Sequence, residues 1–252
     1  MKALTMVSEE SSGDAACVES VMRGNVTPGP IPCRSVGTAT VAVAGTAAVA
    51  AVSAGLNWWS RLGDRRGVEM VTKPLATIAI GTLALLVAAD EVPTAALVAA
   101  ATGFVLCLAG DIALLPAVDR FVVGLASFLA GHLAFVVMFV ILGLDRWWLG
   151  LIALMGAAAI AGFLGRPIVL GARTNDPGLV APVRGYLTII SAMAVVGWAT
   201  GRPAAIVGSS LFVLSDSILG WRQFVDRQRW MPVAIMVTYH GALLGLALTL
   251  AG

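Results

Sequence analysis

Apolar stretches of membrane-spanning length alternate with short polar ones from residue 36 onward. Each of eight stretches has about 16 to 22 residues, the length a helix needs to cross a bilayer. They are rich in Ala, Leu, Val and Gly and do not alternate as barrel strands do. The sequence predicts an all-α fold, a polytopic membrane helix bundle with about eight transmembrane helices. The predicted spans are Val36–Leu56, Pro74–Ala89, Thr94–Leu115, Phe121–Leu142, Trp147–Leu164, Pro182–Ala199, Pro203–Gly220 and Trp230–Leu250.

The composition agrees with this pattern. Hydrophobic residues make up 59% of the 252 residues and charged residues 12%, whereas a soluble domain has about 25% charged residues. The net charge is only +2, and we expect membrane lipids and no nucleic acid as partners. Cys17, Cys33 and Cys107 are odd in number, and Cys107 falls in an apolar run, so no disulfide framework is predicted. The sequence does not predict an oligomeric state.

The first 35 residues differ from the rest because they are polar and lack apolar periodicity. They include the segments SEESSGD and TPGPIP, which are typical of disorder, and show no basic-then-apolar signal peptide pattern. We therefore expect a disordered tail over 1–35 and a membrane domain over 36–252. A start codon assigned too far upstream, with Met22 as the first residue, is the alternative explanation of this tail.

Positively charged residues are distributed unevenly between the two sides of the predicted bundle. Eleven Lys and Arg residues follow the first, third, fifth and seventh spans, and five lie on the other side. Because cytoplasmic loops carry an excess of Lys and Arg, the odd-numbered loops are predicted to be cytoplasmic and both termini to lie outside.

Ionisable and phenolic side chains gather at one level of the predicted bundle. Asp111 and Asp216 lie about 6–8 Å from the cytoplasmic ends of the third and seventh spans, at about 1.5 Å per residue. The other such residues of the cytoplasmic half are Lys73, His132, Tyr186, Tyr239 and His240. Since ionisable groups inside a bilayer are costly and usually functional, we infer one polar cavity open to the cytoplasmic side, with Lys73 at its mouth.

Aromatic residues share a helix face with two of these groups. One interpretation is a seam between helices in which His132 bonds a neighbour; the other is a groove for an acyl chain. The stripe on the fourth span contains Phe121, Leu125, Phe128, His132, Phe135 and Phe139, and Phe212 shares a face with Asp216. For Asp111 alone, a structural salt bridge to Lys73 or to an arginine is a further alternative.

Two carboxylates at one depth in a low-dielectric pocket predict acid–base chemistry. One is expected to stay protonated as a general acid, while the other stabilises a cation or activates water. This pair suits cleavage through an oxocarbenium ion. The chain lacks Gly-x-Ser-x-Gly, His-Glu-x-x-His and Cys-x-x-Cys motifs, so neither a serine lipase nor a cofactor is predicted. A metal bound by Asp111, His132, Asp216 and His240 is the open alternative, although their spacing is a weak signal.

Several short motifs follow one another from the second to the eighth predicted span. They are Thr72-Lys73-Pro74-Leu75, Gly110-Asp111 with Leu114-Leu115-Pro116, Phe128 with Gly131-His132-Leu133, Gly208 with Leu211-Phe212 and Ser215-Asp216, and Tyr239. Each is weak alone, but their order on an eight-span bundle resembles the YhhN-like family of membrane proteins, which includes lysoplasmalogenases. Two positions depart from the family pattern: Phe135 stands where a tyrosine is expected, and His240 where another polar or small residue is common.

The resemblance implies hydrolysis of the vinyl ether bond of a lysoplasmalogen to a fatty aldehyde and glycerophosphocholine or glycerophosphoethanolamine. Our hypothesis is that Asp111 and Asp216 are the catalytic residues, without deciding which is the acid, and that Lys73 holds the substrate phosphate as a point charge. The supporting polar pocket would contain His132, Tyr186, Tyr239 and His240, and the groove for the chain Phe121, Phe128, Phe135, Phe139 and Phe212. The alternatives are a membrane hydrolase acting on another lipid bond and a non-catalytic lipid-binding or transport protein.

Overall fold

A computed structural model describes residues 35–252, with side chains from residue 39 onward. The predicted disordered tail therefore lies outside the described residues, apart from Ser35. The helices are α1 (Ser35–Leu62), α2 (Arg66–Leu86), α3 (Thr94–Ala113), α4 (Phe121–Leu142), α5 (Trp147–Ile160), α6 (Arg166–Asn175), α7 (Val180–Ala199), α8 (Pro203–Phe224) and α9 (Met231–Leu248). A π-helical turn, Ala161–Gly165, joins α5 to α6, and 3₁₀ turns precede α7 and follow α9.

Eight helical segments of the described chain are long and apolar enough to cross a membrane. They correspond to α1, α2, α3, α4, the continuous α5–α6 segment, α7, α8 and α9. The prediction of an all-α bundle with about eight spans is confirmed, and the protein is an integral membrane protein. Helix α1 crosses the boundary between a first unit that ends at Ala44 and a second unit, Gly45–Gly252, which contains all of the other helices.

The predicted start of the second span was wrong by eight residues. The predicted span begins at Pro74, but α2 begins at Arg66 and contains Pro74 in its interior. A buried face at helical spacing runs through the proline, from Glu69 past Lys73 to Thr77 and beyond. Packing of this face therefore outweighs the cost of an interior proline, and Lys73 lies two turns inside α2.

The predicted end of the fifth span was also wrong. The segment Gly-Arg-Pro at 165–167 reads as a break, yet helix continues through the π-helical turn and α6 to Asn175. Pro167 follows the π-helical turn closely, and such local π-helical adjustments allow a membrane helix to contain a proline. The helix therefore continues past Pro167, and the span does not end at Leu164 as predicted.

The core of the second unit is an apolar cluster formed by α2, α3, α4, α7, α8 and α9. The side chains of Phe135, Phe139 and Phe212 are completely buried in it. Helix α4 packs most extensively on α3, and α9 on α8. These two helix pairs carry Asp111, His132, Asp216 and Tyr239.

Helices α8 and α9 approach each other through two glycines. A Cβ atom on Gly245 would lie 2.6 Å from Cα of Gly208 and 3.0 Å from the carbonyl oxygen of Ala204. Small residues that allow such backbone contact are typical of helix interfaces in membranes. Because backbone atoms cannot move aside as side chains do, only glycine fits at position 245.

We predict that Gly245→Ala lowers the stability of the protein by about 1–3 kcal/mol, since the added methyl group overpacks the α8–α9 contact. The measurement is the midpoint of thermal unfolding of purified protein in detergent. Gly156→Ala is the matched control because nothing lies within 4 Å of a Cβ placed there. That change should leave the midpoint unchanged or slightly raised, and equal midpoints for the two variants would contradict the prediction.

Candidate active site

A cavity of about 200 Å³ opens at the end of the bundle where the α1–α2, α3–α4 and α8–α9 loops lie. Its polar lining consists of Arg61, Glu69, Lys73, Asp111, Asp119, Ser215, Asp216, Arg222, Gln223 and Tyr239. Its apolar lining consists of Leu114, Phe121, Phe128, Leu219, Pro232, Ile235 and Met236. Both aspartates predicted to be catalytic therefore line the same cavity, although they are 105 residues apart in the chain.

Asp111 of α3 is completely buried and is held by three partners from other helices. Its Oδ2 atom accepts hydrogen bonds from the hydroxyl groups of Thr77 (2.6 Å) and Tyr239 (2.8 Å). The ammonium group of Lys73 lies 3.3 Å from Oδ1. Two hydroxyl donors and a cation stabilise the ionised form of a carboxyl group, so this environment favours an Asp111 carboxylate.

Asp216 of α8 has a different environment. Its Oδ2 atom accepts a short hydrogen bond from the hydroxyl of Tyr186, and Nε2 of His132 lies 3.7 Å from the same oxygen. No Lys or Arg nitrogen of the described chain comes within 4 Å of it. The two carboxyl groups thus share a cavity but differ in charge balance: one faces an ammonium group and the other a phenol and an imidazole.

His132 lies beside Asp216 in an aromatic enclosure. Its ring contacts Phe212 and Tyr186 edge to face, with ring centroids 4.5 and 5.4 Å apart. The side chain is completely buried, and neither ring nitrogen makes a hydrogen bond within the described part of the protein. The seam interpretation, in which this histidine bonds a neighbour, is therefore not what the structure shows; its closest polar neighbour is Asp216.

The structure separates the predicted groove residues into two sets. Phe121 and Phe128 line the cavity, whereas Phe135, Phe139 and Phe212 pack in the core and do not. Phe128 lies over Gly110, where a Cβ atom would be 2.6 Å from its ring, and contacts Tyr239 edge to face. Only the part of the stripe nearest the open end is available to a ligand.

The two departures from the family pattern both have structural explanations. Phe135 is completely buried in the apolar cluster and packs edge to face on Phe104, with ring centroids 5.4 Å apart. His240 accepts a hydrogen bond at Nδ1 from the indole of Trp58, at 3.0 Å. It lies outside the cavity lining and ties α9 to α1, so it supports the helix that carries Tyr239.

The sequence did not predict several residues of the site: Thr77, which donates a hydrogen bond to Asp111 but does not line the cavity, and several residues of the cavity lining. Thr77 lies four residues after Lys73 on one face of α2, a spacing that could have identified it. At the mouth, Arg61 forms an ion pair with Glu69, and Arg222 and Gln223 extend the lining along α8. The sequence places the span ends before Arg61, Arg222 and Gln223 too early and the span start after Glu69 too late, so these residues could not be assigned to the cavity.

The metal site that we left open is not formed. Within residues 35–252, no three His, Cys, Asp or Glu side chains converge to hold a metal ion. The cause is geometric, because Asp111 and Asp216 turn toward different partners and His240 lies outside the cavity.

Comparison with known proteins bears on what this cavity does. Residues 68–250 match the model of the YhhN family. The chain belongs to the YhhN family. Among curated relatives, human lysoplasmalogenase TMEM86B is 35% identical over 149 residues, which are 58% of this chain and 61% of that protein. The rat lysoplasmalogenase TMEM86B is 31% identical over 131 residues, 52% of each chain.

The chain spans about half the length of the curated relatives that it matches. No match was found among solved structures. The family match begins in α2 and ends in the last turn, so this YhhN protein carries the whole cavity except Arg61 within the matched residues.

We predict that Lys73 and Asp111 stabilise the fold as a pair. Lys73→Met or Asp111→Leu alone should cost about 3–5 kcal/mol, because each leaves the other charge buried without its partner. The double variant should lose much less than the sum of the two. A double-mutant cycle on thermal unfolding in detergent measures this coupling, and additive losses would show that the 3.3 Å contact contributes nothing.

Proposed function

We propose that this protein is a lysoplasmalogenase, a hydrolase that cleaves the vinyl ether bond of lysoplasmalogens. The observation that carries the proposal is one cavity, open at a bundle end and partly apolar, that contains two carboxyl groups of unequal charge balance, one completely buried and the other slightly exposed. The printed names of the human and rat relatives support it. The products would be a fatty aldehyde and glycerophosphocholine or glycerophosphoethanolamine.

Asp216 is the proposed general acid. With no cation beside it in the described chain, this carboxyl group can hold a proton in a low-dielectric site. The Tyr186 hydroxyl occupies Oδ2, and Oδ1 makes no hydrogen bond within residues 35–252, so Oδ1 is free to present the proton to the substrate. His132, 3.7 Å from Oδ2, would position this carboxyl group or a water molecule.

Asp111 is the proposed electrostatic partner. Its carboxylate, held by Lys73, Thr77 and Tyr239, has a fixed orientation before the substrate arrives. A negative charge positioned in advance stabilises the cation that develops in the transition state without having to reorganise. Tyr239 supports this role because it fixes Oδ2 and lines the cavity itself.

The reaction proceeds in two stages. Asp216 gives its proton to the alkenyl carbon β to the ether oxygen, the double bond shifts, and an oxocarbenium ion forms beside Asp111. Water then adds to the carbon that bears the oxygen, and its proton passes to a carboxylate of the pair. The hydroxyl group of the hemiacetal then gives up its proton, the bond between this carbon and the glycerol oxygen breaks, the glycerol oxygen takes up a proton, and the aldehyde leaves. The net change is addition of one water molecule.

The alkenyl chain is too large for the cavity. At about 200 Å³ the cavity is smaller than a typical ligand pocket of about 300–1,000 Å³, so it holds the reacting end of a lipid and not the whole molecule. A second, apolar void of about 30 Å³, lined by residues of α4, α6, α7 and α8, shares Phe121, Leu219 and Asp216 with the cavity lining. We propose that the chain lies past Phe121 and Phe128 toward this void, and that surrounding membrane lipid receives the rest.

We predict that Asp216→Asn lowers the rate of aldehyde release from a lysoplasmalogen by about 100-fold or more, since an amide cannot deliver the proton. Asp111→Asn should cause a comparable loss through the missing charge. The assay is aldehyde trapping with purified protein. In D₂O the wild-type protein should place one deuterium on the carbon next to the aldehyde group, because that carbon receives the proton.

The matched control is Asp90→Asn, which changes an exposed carboxylate in the α2–α3 loop and should leave the rate unchanged. Full activity in Asp216→Asn would remove this residue from the mechanism. Release of a fatty acid without aldehyde would favour a hydrolase of another lipid bond instead.

We propose in addition that the cavity mouth faces the cytoplasm, because the odd-numbered loops around it carry most of the Lys and Arg residues. The prediction uses protein in which Cys17, Cys33 and Cys107 are replaced. In intact cells, a membrane-impermeant maleimide should label Glu91→Cys, in the α2–α3 loop, and spare Gln228→Cys, in the α8–α9 loop. The opposite labelling pattern would reverse the proposed orientation.

A further inference from the structure

Three cationic side chains line the cavity, and two of them are already balanced by carboxylates. Lys73 faces Asp111 at 3.3 Å, and Arg61 forms an ion pair with Glu69. Arg222 lines the same cavity near its mouth but has no carboxylate oxygen within 4 Å among the residues that the structure describes. The mouth therefore holds one guanidinium group whose charge has no partner in the described chain.

The surroundings of Arg222 make this charge available to a ligand. Its Nε atom is buried and makes no hydrogen bond within residues 35–252, and the side chain is only partly exposed. The nearby charges of Arg61 and Arg227 repel it, and Glu69, which attracts it, is engaged by Arg61. An anion bound here would relieve this repulsion and pair with the free guanidinium donors.

We propose that Arg222 binds the phosphodiester group of the lysophospholipid substrate at the cavity mouth. The inference rests on the proposed function and assigns the part of the site that recognises the head of the lipid. A guanidinium suits this task because its planar fork of donors matches two phosphate oxygens. Arg61 adds positive charge beside it, and Lys73, whose charge Asp111 balances, stays with the catalytic carboxylate.

The distance between Arg222 and the proposed acid fits one substrate molecule. Arg222 follows Asp216 by six residues on α8, so their Cα atoms are separated by about 9 Å along the helix axis. In a lysoplasmalogen, seven covalent bonds connect the carbon that receives the proton to the phosphorus atom. At about 1.2 Å of advance per bond in an extended chain, these bonds span about 8 Å. One lipid can therefore reach both residues at once.

The placement also explains why the mouth is polar and the adjoining void apolar. The vinyl ether of a lysoplasmalogen lies between a charged head and a hydrocarbon chain. With the phosphate on Arg222 and the chain past Phe121, the vinyl ether is held next to Asp216 and Asp111. Phosphate binding would then contribute mainly to substrate affinity and positioning, and little to proton transfer.

The experiment compares two substrates that differ only in the head group: a lysoplasmalogen and the corresponding 1-alkenylglycerol, which lacks the phosphate. Arg222→Gln should lower kcat/KM for the lysoplasmalogen by about 10- to 100-fold, chiefly through KM, because charge-assisted hydrogen bonds to the phosphate are lost. The same substitution should change kcat/KM for the alkenylglycerol by less than about threefold, because this substrate has no phosphate to lose. Arg222→Lys should recover part of the loss because it restores the charge without the fork.

Arg229→Gln is the matched control, since this arginine is exposed and lies outside the cavity lining. It should leave both substrates unaffected, and the unfolding midpoints of all variants establish that they fold. Equal losses on the two substrates, or no loss with Arg222→Gln, would overturn the proposal.

Failure of the proposed function is recognised separately. If wild-type protein cleaves neither substrate, binding is measured directly by calorimetry with lysophosphatidylcholine and with monoacylglycerol. Weaker binding of lysophosphatidylcholine alone by Arg222→Gln would then support the phosphate site without the enzyme. Equal binding by both proteins would overturn it.

Discussion

The burial of the Asp111 carboxylate is the constraint on which the rest of the structure depends. A charge inside a helix bundle is tolerated only with partners, and here they come from two other helices. Lys73 and Thr77 of α2 and Tyr239 of α9 converge on this side chain of α3. This polar cluster thus connects α2, α3 and α9. Because the buried carboxylate requires hydrogen-bond donors and a cation nearby, polar groups are concentrated at one end of an otherwise apolar core.

This arrangement gives two chemically similar residues different roles. Because Lys73 is used by Asp111, Asp216 has only Tyr186 and His132 as polar neighbours on Oδ2. Two carboxyl groups in identical environments would compete equally for one proton. Here the ammonium group beside Asp111 favours its ionised form, so the proton is expected on Asp216. The cations differ in the same way. Lys73 and Arg61 are paired with carboxylates and stabilise the site, whereas Arg222 has no carboxylate partner in the described chain and is proposed to bind the ligand.

Close helix packing makes this geometry possible. Glycines at 110, 208 and 245 let α3 approach α4 and α8 approach α9, so that side chains from distant segments reach one cavity. Aromatic side chains such as Phe128 and Phe212 fill the space around the ionisable groups and exclude other polar partners. Apart from Leu114 and Asp119, the cavity lining therefore comes from helix residues and not from loops.

The sequence by itself determined the eight spans and the level at which Asp111, Asp216 and His132 gather, because apolar runs of membrane length leave few ways to place them. It did not determine pairings, since these depend on which helix faces meet. Only the tertiary structure showed that Lys73 forms an ion pair with Asp111. It also showed that Phe135, Phe139 and Phe212 pack in the core and do not line the cavity. It also added Arg222 at the mouth, because helix ends and neighbours are set by packing and not by local pattern.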